Sequence, residues 1–546
     1  MAQIGAVIGR EFSHALLAAV ALKKDEELQS ALDALTRAGL LFRQGAPPNA
    51  TYLFKHALVQ DAAYGTLLRE PRRSLHARIA DTLEREFAEI AERQPELLAR
   101  HCTEAGLIEK AAGLWGKAGQ RSLERSAWVE AIEQLTRALA QIAALPITPA
   151  LRREQIKLQV ALITPLIHVK GYSAPETKVA AARARLLIER ADALGEPPED
   201  PLLFFSVLYG FWVANYVAFN GDVMRELAAQ FMALAQKQGA TVPIMIGHRL
   251  MGSSLMLTGD IAEGRTHYDQ ALALYDPAAH RALATQFGQD VGVAILSFRS
   301  LALWVLGYPD AALADADRAL RDAREIGQAA ALMYALFITS VTHILCGNYA
   351  KATAQSNELV ALADKKGAAQ WKAQGMLMRG CAFAVMGKAS DAVPMISSSL
   401  TALQSTGSTN LMPLHLSHRG IAYAELHRFD DACRCIGEAM TVMETAKERW
   451  CAAEVNRVAG EIALQPPEPG SRKAEMYFER ALAVARQQQA KSWELRASMS
   501  LARLWCNQGK RTEARDLLTP IYGWFTEGFD TLDLKQAKAL LDELAR

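Results

Sequence analysis

GNYAKA (residues 347–352), GKASDA (387–392) and HRFDDA (427–432) are three similar stretches at equal intervals in this chain. Each stretch follows an apolar run and reaches an alanine that opens a second apolar run. These alanines, Ala352, Ala392 and Ala432, stand 40 residues apart, so the sequence contains an internal repeat.

The same repeat extends in both directions. GDIAEG (259–264), GYPDAA (307–312) and GKRTEA (509–514) have the same pattern, and Ala474 has the same phase. The successive steps from Gly264 to Ala514 are 48, 40, 40, 40, 42 and 40 residues. The unequal steps predict insertions in the loops.

Small residues define the repeating unit as a pair of helices. Five of the six stretches begin with glycine, which can end a helix in a left-handed conformation without steric cost. Another small residue stands twelve positions before the end of each stretch, where two antiparallel helices can approach closely: Gly252, Ser300, Ser340, Gly380, Gly420 and Ala502. The pattern predicts an α-solenoid, and its spacing resembles that of the tetratricopeptide repeat (TPR), whose fold is a right-handed solenoid.

Composition restricts the class of protein. The net charge of the 546 residues is +1, so no overall charge favours nucleic acid or membrane. Seven scattered cysteines favour a reducing cytoplasm. Two uncharged runs, 201–221 and 328–350, exceed the roughly 20 residues that a bilayer requires. Both contain polar interruptions and end in phase with a turn, so we interpret them as buried solenoid helices.

The first 90 residues do not follow the repeat. Helices are predicted over 12–22, 26–38 and 57–68, and two strand-like runs, 40–43 and 51–54, flank the turn GAPPN. The chain is therefore predicted to be all-α apart from a small winged-helix-like module with a β-hairpin. The predicted division is a winged-helix-like module (1–90), an irregular first part of the solenoid (91–240), TPR-like repeats (241–530) and a capping helix (531–546). Proline-rich loops are predicted at 197–198 and 465–470.

Several segments resemble a known family. IGREFSHALLAAV (8–20), YLFKHALVQDAAYGTLL (52–68) and RRSLHARIADTLE (72–84) are similar to the region that follows the ATPase in bacterial class III adenylate cyclase and STAND-type ATPase signalling proteins. Residues 94–139 and 492–544 continue the resemblance. It implies a regulatory, partner-sensing tail with a protein partner, which could be a separately encoded ATPase or cyclase. The chain is expected to be either the partner of a separately encoded ATPase or a piece of a longer protein.

The sequence contains no recognisable catalytic motif. The nearest approach to a phosphate-binding loop, GLWGKA (113–118), has the wrong spacing and no hydroxyl residue after the lysine. Cys433 and Cys435 lack the spacing of a zinc half-site and are interpreted as buried thiols. His415 and His418, with Cys381 a repeat earlier, are interpreted as surface and interface histidines. We therefore predict no enzyme activity, no cofactor and no metal.

Two surfaces are predicted to contact partners. Solenoids usually bind along the concave face that their first helices line, and by phase this face contains Arg249, Trp304, Gln374, Glu454, Arg457 and Glu461. A contact with an ATPase module is predicted at Lys55, His56, Asp61, Arg72 and Arg73.

Two alternatives remain open at this point. The first is a DNA-binding regulator that uses the winged-helix-like module on DNA, with Arg69, Arg72, Arg73 and Arg78 as a basic stretch and the TPR region as a sensor. The second is part of an ATPase or adenylate cyclase assembly whose catalytic domains lie on another chain.

Overall fold

The chain folds into two compact units. A computed structural model describes residues 1–171, 174–196, 202–465 and 470–546. The first unit contains residues 1–123 and 129–162, and the second contains residues 124–128 and 163–546. This division does not coincide with the boundaries predicted at 90, 240 and 530. The predicted proline-rich loops at 197–198 and 466–469, and the start of the first uncharged run at Pro201, lie outside the described residues.

The first unit begins with helices around a small sheet. Its elements are α1 (Ala2–Ile8), β1 (Glu11–Ser13), α2 (His14–Ala21), α3 (Asp25–Arg37), β2 (Leu41–Gln44), β3 (Thr51–Phe54) and α4 (Ala57–Gly65). The three strands are antiparallel in the order β1-β3-β2. The predicted hairpin is β2–β3, and its inner face buries Tyr52 and Phe54.

Strand β1 corrects the predicted start of the helix at Phe12. Phe12 pairs with Tyr52 in the sheet, and the two rings stack with 5.8 Å between their centroids. The helix α2 begins after Ser13 because the Ser13 hydroxyl accepts a hydrogen bond from the amide of Leu16, at 3.1 Å. A side-chain cap therefore fixes the change from strand to helix.

The rest of the first unit is helical. Its helices are α5 (Arg69–Glu86), α6 (Ala88–Arg93), α7 (Pro95–Ala105), α8 (Ile108–Glu124), α9 (Trp128–Ala143) and α10 (Pro149–Ala161). Helices α8 and α9 form a hairpin, in which a Cβ at Gly119 would lie 2.7 Å from Leu135 Cγ. The glycine therefore sets the close approach of these two helices.

The second unit begins with α11 (Ile163–Lys170), α12 (Pro175–Ala193), α13 (Leu202–Val217) and α14 (Gly221–Gln238). It continues as helix hairpins. The first helices are α15 (Thr241–Thr258), α19 (Val291–Val305), α21 (Ala329–Leu345), α23 (Ala369–Val385), α25 (Met412–Glu425), α27 (Ala452–Ala463) and α29 (Lys491–Asn507). The second helices are α16 (Ile261–Leu274), α20 (Pro309–Ile326), α22 (Tyr349–Lys366), α24 (Ala389–Ser405), α26 (Phe429–Thr445), α28 (Ser471–Gln487) and α30 (Arg511–Trp524).

The structure confirms the helical solenoid and its small-residue pattern. The alanines that open the second helices have no exposed surface: Ala312, Ala352, Ala392, Ala432, Ala474 and Ala514. The 48-residue step contains two extra short helices, α17 (Pro277–His280) and α18 (Ala284–Phe287), joined by a 3₁₀ turn over Arg281–Leu283. The long step is therefore an insertion between two hairpins.

The last helix, α31 (Leu532–Leu544), packs on the final hairpin and buries Leu534, Ala537, Leu540 and Leu544. Among the described residues, no helix combines the length and the apolar character that crossing a bilayer requires.

Candidate functional site

The six residues predicted to line a concave binding face lie on first helices of the second unit. Four of them depart from that expectation, because Arg249, Trp304, Gln374 and Glu454 are at most 6% exposed. Other parts of the same chain cover them; Arg249 Nη1, for example, donates to the hydroxyl of Tyr209 on α13 at 2.8 Å. The ring of Trp493 lies 4.6 Å from that of Trp304, and Ser492 Oγ donates to the Trp304 carbonyl oxygen at 2.5 Å. The face that the sequence predicts for a partner is therefore occupied by the chain itself.

Backbone hydrogen bonds join repeats that are far apart in sequence. The amide of Gly221 donates to Ala446 O at 2.9 Å, and that of Arg449 donates to Leu257 O at 2.9 Å. Thr409 N reaches Val217 O, 192 residues earlier, at 2.8 Å. We call this set of contacts, between residues 217–347 and 409–532, the seam. It closes the solenoid on itself.

A buried cluster of charges lies beside the seam. Arg496 pairs with Asp533 at 2.8 Å and with Glu454 at 3.4 Å, and its guanidinium also donates to Leu345 O at 2.8 Å. Arg457 pairs with Glu454 at 2.8 Å and with Glu461 at 3.2 Å. Burial alone would raise the pKa of Glu454, but the charges of Arg457 and Arg496 outweigh it and lower that pKa to about 2. Glu454, Arg457 and Glu461 therefore form part of an internal ionic network.

Two further buried groups face the interior. Burial raises the pKa of Glu448 to about 8, and its carboxylate accepts a hydrogen bond from Trp450 Nε1 at 3.3 Å. Burial lowers the pKa of His415 to about 3 and that of His418 to about 4. Cys381 Sγ lies 3.7 Å from His415 Nδ1. In the part of the chain that the structure describes, no group of three or more His, Cys, Asp and Glu residues has the arrangement of a metal site.

The predicted ATPase-contact residues divide into two kinds. Arg72 donates to Leu67 O at 2.8 Å and lies over the ring of Tyr64, and Arg73 donates to Ala105 O at 2.8 Å. These two side chains hold the first unit together. Lys55, His56 and Asp61, in contrast, are exposed at the start of and along α4.

Exposed apolar side chains surround these three polar residues in the sequence. Phe42 on β2 and Leu53 on β3 lie directly opposite each other, 55% and 37% exposed, and Lys55 Nζ lies 5.6 Å from the centre of the Phe42 ring. Leu58, at the start of α4, and Leu68, three residues after its end, are 79% and 78% exposed. Sequence reasoning missed this surface, although the hairpin alternation could have indicated the outward face of Phe42 and Leu53.

The most important residues that sequence reasoning missed are Arg496, Asp533 and Glu448. Glu448 stands between Lys447 and Arg449, Arg496 follows Glu494 by two positions and Asp533 precedes Lys535 by two, so the local sequence does not mark any of them as buried.

Comparison with known proteins supports the fold. No family model matches the chain. A Rhizobium meliloti protein described as uncharacterized is 24% identical over 462 residues, which are 84% of this chain and 44% of that protein. The chain thus spans less than half the length of this curated relative.

Two solved structures are also similar. A Rap protein in complex with a competence and sporulation factor has a TM-score of 0.50 at 11% identity, over 70% of this chain and 99% of that one. A STAND protein with a tetratricopeptide repeat sensor from Pyrococcus horikoshii has a TM-score of 0.30 at 12% identity, over 100% of this chain and 65% of that one. At 11% identity the likeness to the Rap protein concerns the fold alone, and that fold is one of TPR-like helical repeats.

Proposed function

We propose that this chain is a non-catalytic scaffold for protein interaction and regulation, and that its N-terminal module contacts an ATPase or cyclase module. One observation carries the proposal: Phe42 and Leu53 lie side by side and exposed on the hairpin, with Leu58 and Leu68 exposed nearby in sequence. Neighbouring exposed apolar side chains of this size commonly mark an interaction surface. We call Phe42, Leu53, Leu58 and Leu68 the apolar surface.

Polar residues next to the apolar surface complete the proposed contact. Lys55, His56 and Asp61 are exposed and have no ion-pair partner among the described residues. Apolar anchors with a polar rim are typical of protein interfaces. Arg72 and Arg73 hold backbone carbonyls within the first unit, so we assign them a supporting role.

The length of the relative supports a further module. The Rhizobium meliloti protein is more than twice as long as the region that this chain matches. We infer that an ATPase or cyclase module, on a longer form of this chain or on another chain, occupies the apolar surface. We also propose a cytoplasmic location for the scaffold, which its seven scattered cysteines favour.

Affinity purification of the tagged full chain from its native cell tests the proposal. We expect a protein with a phosphate-binding loop or a cyclase domain to co-purify with the wild type and to be lost with F42E/L53E. M476E is the matched control, because Met476 is an exposed apolar residue on α28. If F42E/L53E retains the same partners as M476E, the apolar surface is not the contact. Turnover of ATP by the purified chain alone would contradict a non-catalytic role.

A second candidate, DNA binding, has one structural observation in its favour. The order helix, strand, helix, helix, strand, strand over residues 2–54, with the strand order β1-β3-β2, is the arrangement of a winged helix. The helix before the hairpin, α3, would face the DNA, yet its first turn carries Asp25, Glu26 and Glu27. Because these carboxylates repel phosphates, we expect no retention of duplex DNA even at low salt. Salt-dependent binding by the full chain would favour this candidate instead.

A further inference from the structure

Two adjacent grooves follow the seam of the second unit. The first has a volume of about 700 Å³ and lies between the α14–α16 region and helices α26, α27 and α28. The second, of about 660 Å³, lies between α16, the start of α20 and the α28–α29 loop. The lining residues of the two grooves are close in sequence on both walls. Asp260 lines the first groove and Ala262 the second, and on the opposite wall Gln488 lines the first and Gln489 the second. We call the pair the seam groove.

The first part of the seam groove carries an excess of unpaired positive charge. Lys447, Arg449 and Arg480 line it and have no ion pair among the described residues, while Arg225 is paired with Asp260. Two acidic residues, Asp222 and Glu444, also line it. This balance favours carboxylates of a ligand but disfavours a continuous polyanion such as nucleic acid.

Buried amide groups point to a ligand with N–H donors. Asn456 lines the first part and is 3% exposed. Its Nδ2 donates to Ala452 O at 2.7 Å, whereas its Oδ1 has no donor among the described residues. Gln488 repeats this arrangement, with Nε2 bonded to Arg449 O at 2.9 Å and Oε1 unpaired. A buried acceptor without a donor is costly, and a peptide backbone offers one N–H per residue.

The second part of the seam groove is aromatic. The rings of Tyr308 and Trp524 meet edge to face with 5.7 Å between their centroids, and Leu306 lies beside them. Trp524 is 37% exposed, which is unusual for the largest apolar side chain. Lys491 Nζ lies 5.6 Å from the centre of the Trp524 ring, and Arg265 Cζ lies 5.4 Å from that of the Tyr308 ring. This end can receive an apolar side chain beside the two rings.

We propose that the seam groove binds an extended peptide segment, with acidic residues at Arg449 and Arg480 and an apolar residue at Tyr308 and Trp524. The two adjoining parts favour an elongated ligand over a compact one, and each has the size of an ordinary binding pocket. The peptide bridges repeats on both sides of the seam, so its binding stabilises the closed solenoid. This inference rests on the scaffold function proposed above, but it uses residues outside the apolar surface.

Selection of a random twelve-residue peptide library on the full chain tests the inference, with the enriched peptides then synthesised with a fluorescent label. We expect enriched peptides that carry Asp or Glu and an apolar residue. Their Kd should weaken at least about tenfold with R449E/R480E, because two favourable charges become repulsive. W524A should weaken the binding of the same peptides, because it removes the aromatic contact. R472E/K473E is the matched control, since both residues are exposed on α28 outside the seam groove, and its Kd should equal that of the wild type.

Three results would overturn the inference. They are the absence of enriched peptides, equal affinity of the enriched peptides for wild type and R449E/R480E, and equally tight binding of a labelled twelve-nucleotide single strand. Circular dichroism and thermal unfolding show whether each variant keeps the wild-type fold. F42E/L53E should leave the peptide affinity unchanged. Loss of the native partner by F42E/L53E and loss of the peptide by R449E/R480E therefore report on the two proposals separately.

Discussion

Glu448 is a buried acid whose protonation should control stability near neutral pH. Its pKa is raised by burial from 4.5 to about 8, so between these values the folded chain keeps a proton that the unfolded chain has lost. The free energy of unfolding should therefore fall as pH rises, by up to about 1.4 kcal/mol per pH unit from this group. Glu448→Gln should remove this slope and make the variant more stable than the wild type at pH 8.5. Urea titrations from pH 6.5 to 8.5 measure the free energy of unfolding of both proteins at each pH.

The range from pH 6.5 to 8.5 lies above the pH at which the buried histidines affect stability. Their effect on the free energy of unfolding has the opposite sign to that of Glu448. The pKa values of His415 and His418 are lowered from 6.5, so these residues reduce stability as pH falls below 6.5. Glu479→Gln, at an exposed site on α28, is the control and should keep the wild-type slope. Parallel pH profiles for the wild type and Glu448→Gln would show that Glu448 is already ionised in the folded chain.

Arg496 is the residue that connects the charges beside the seam. Its guanidinium pairs with Asp533 and Glu454, donates to Leu345 O, and lies over the rings of Trp304 and Trp493. Arg496→Ala removes the cation that pairs with both Glu454 and Asp533. We therefore expect the free energy of unfolding to fall by about 3–5 kcal/mol. Arg503→Ala, on the exposed side of the same helix, should change stability by less than about 0.5 kcal/mol. If urea titrations show that both variants lose a similar free energy of unfolding, the charge cluster does not stabilise the fold in this way.

The helix hairpin is the element in which small residues decide the packing. At Gly252 a Cβ would lie 2.9 Å from the Tyr268 ring and 3.0 Å from the Gly264 carbonyl oxygen, whereas at Gly420 the nearest atom, on Ile436, is 3.4 Å away. These two glycines have the same phase in the repeat. Gly252→Ala should therefore destabilise the chain by about 1–3 kcal/mol. Gly420→Ala should be neutral or stabilise it by up to about 1 kcal/mol, because alanine favours the helix. Thermal unfolding compares the two variants. Equal shifts in Tm would mean that the close packing at Gly252 does not determine the effect of the substitution.

The hairpins could be predicted from the sequence because their determinants are local. Left-handed glycines such as Gly347 and Gly387 end helices, and Ala352 and Ala392 open the next ones, all within one repeat. Among the six stretches, the one that does not begin with glycine begins with His427, and His427 adopts the same left-handed conformation. The strand β1 was missed because three residues carry no periodicity of their own, and pairing with β3 decides their conformation.

The candidate site could not be predicted in the same way because it depends on distant contacts. The phase of Arg249, Trp304, Gln374 and Glu454 correctly places them on first helices, but the phase of a repeat says nothing about what covers that face. Trp304, for example, is covered by Ser492, which follows 188 positions later. Only the curvature of the whole solenoid, summed over several repeats, brings them together.

Closure along the seam should give the whole second unit a property that an open solenoid lacks. Repeats in an open solenoid contact only their neighbours, so the amides of connecting loops remain accessible to water. Here the loop amides of Thr409 and Arg449 donate to carbonyls of the distant Val217 and Leu257. Hydrogen exchange read by mass spectrometry should therefore show slow exchange in the loops over 408–411 and 447–451, comparable to helix interiors.

The loop over 508–510 is the internal control for this exchange experiment. Its amides bond only to carbonyls at the end of their own helix, such as Gly509 N to Cys506 O at 3.0 Å and Lys510 N to Trp505 O at 2.9 Å. It should exchange faster than the seam loops, because fraying of one helix end frees it, whereas the seam loops open only when distant repeats separate. Equal, fast exchange in all three loops would mean that the solenoid is open in solution. In that case the concave face would be free for a partner, and Arg249, Trp304, Gln374 and Glu454 would again be candidates for binding it.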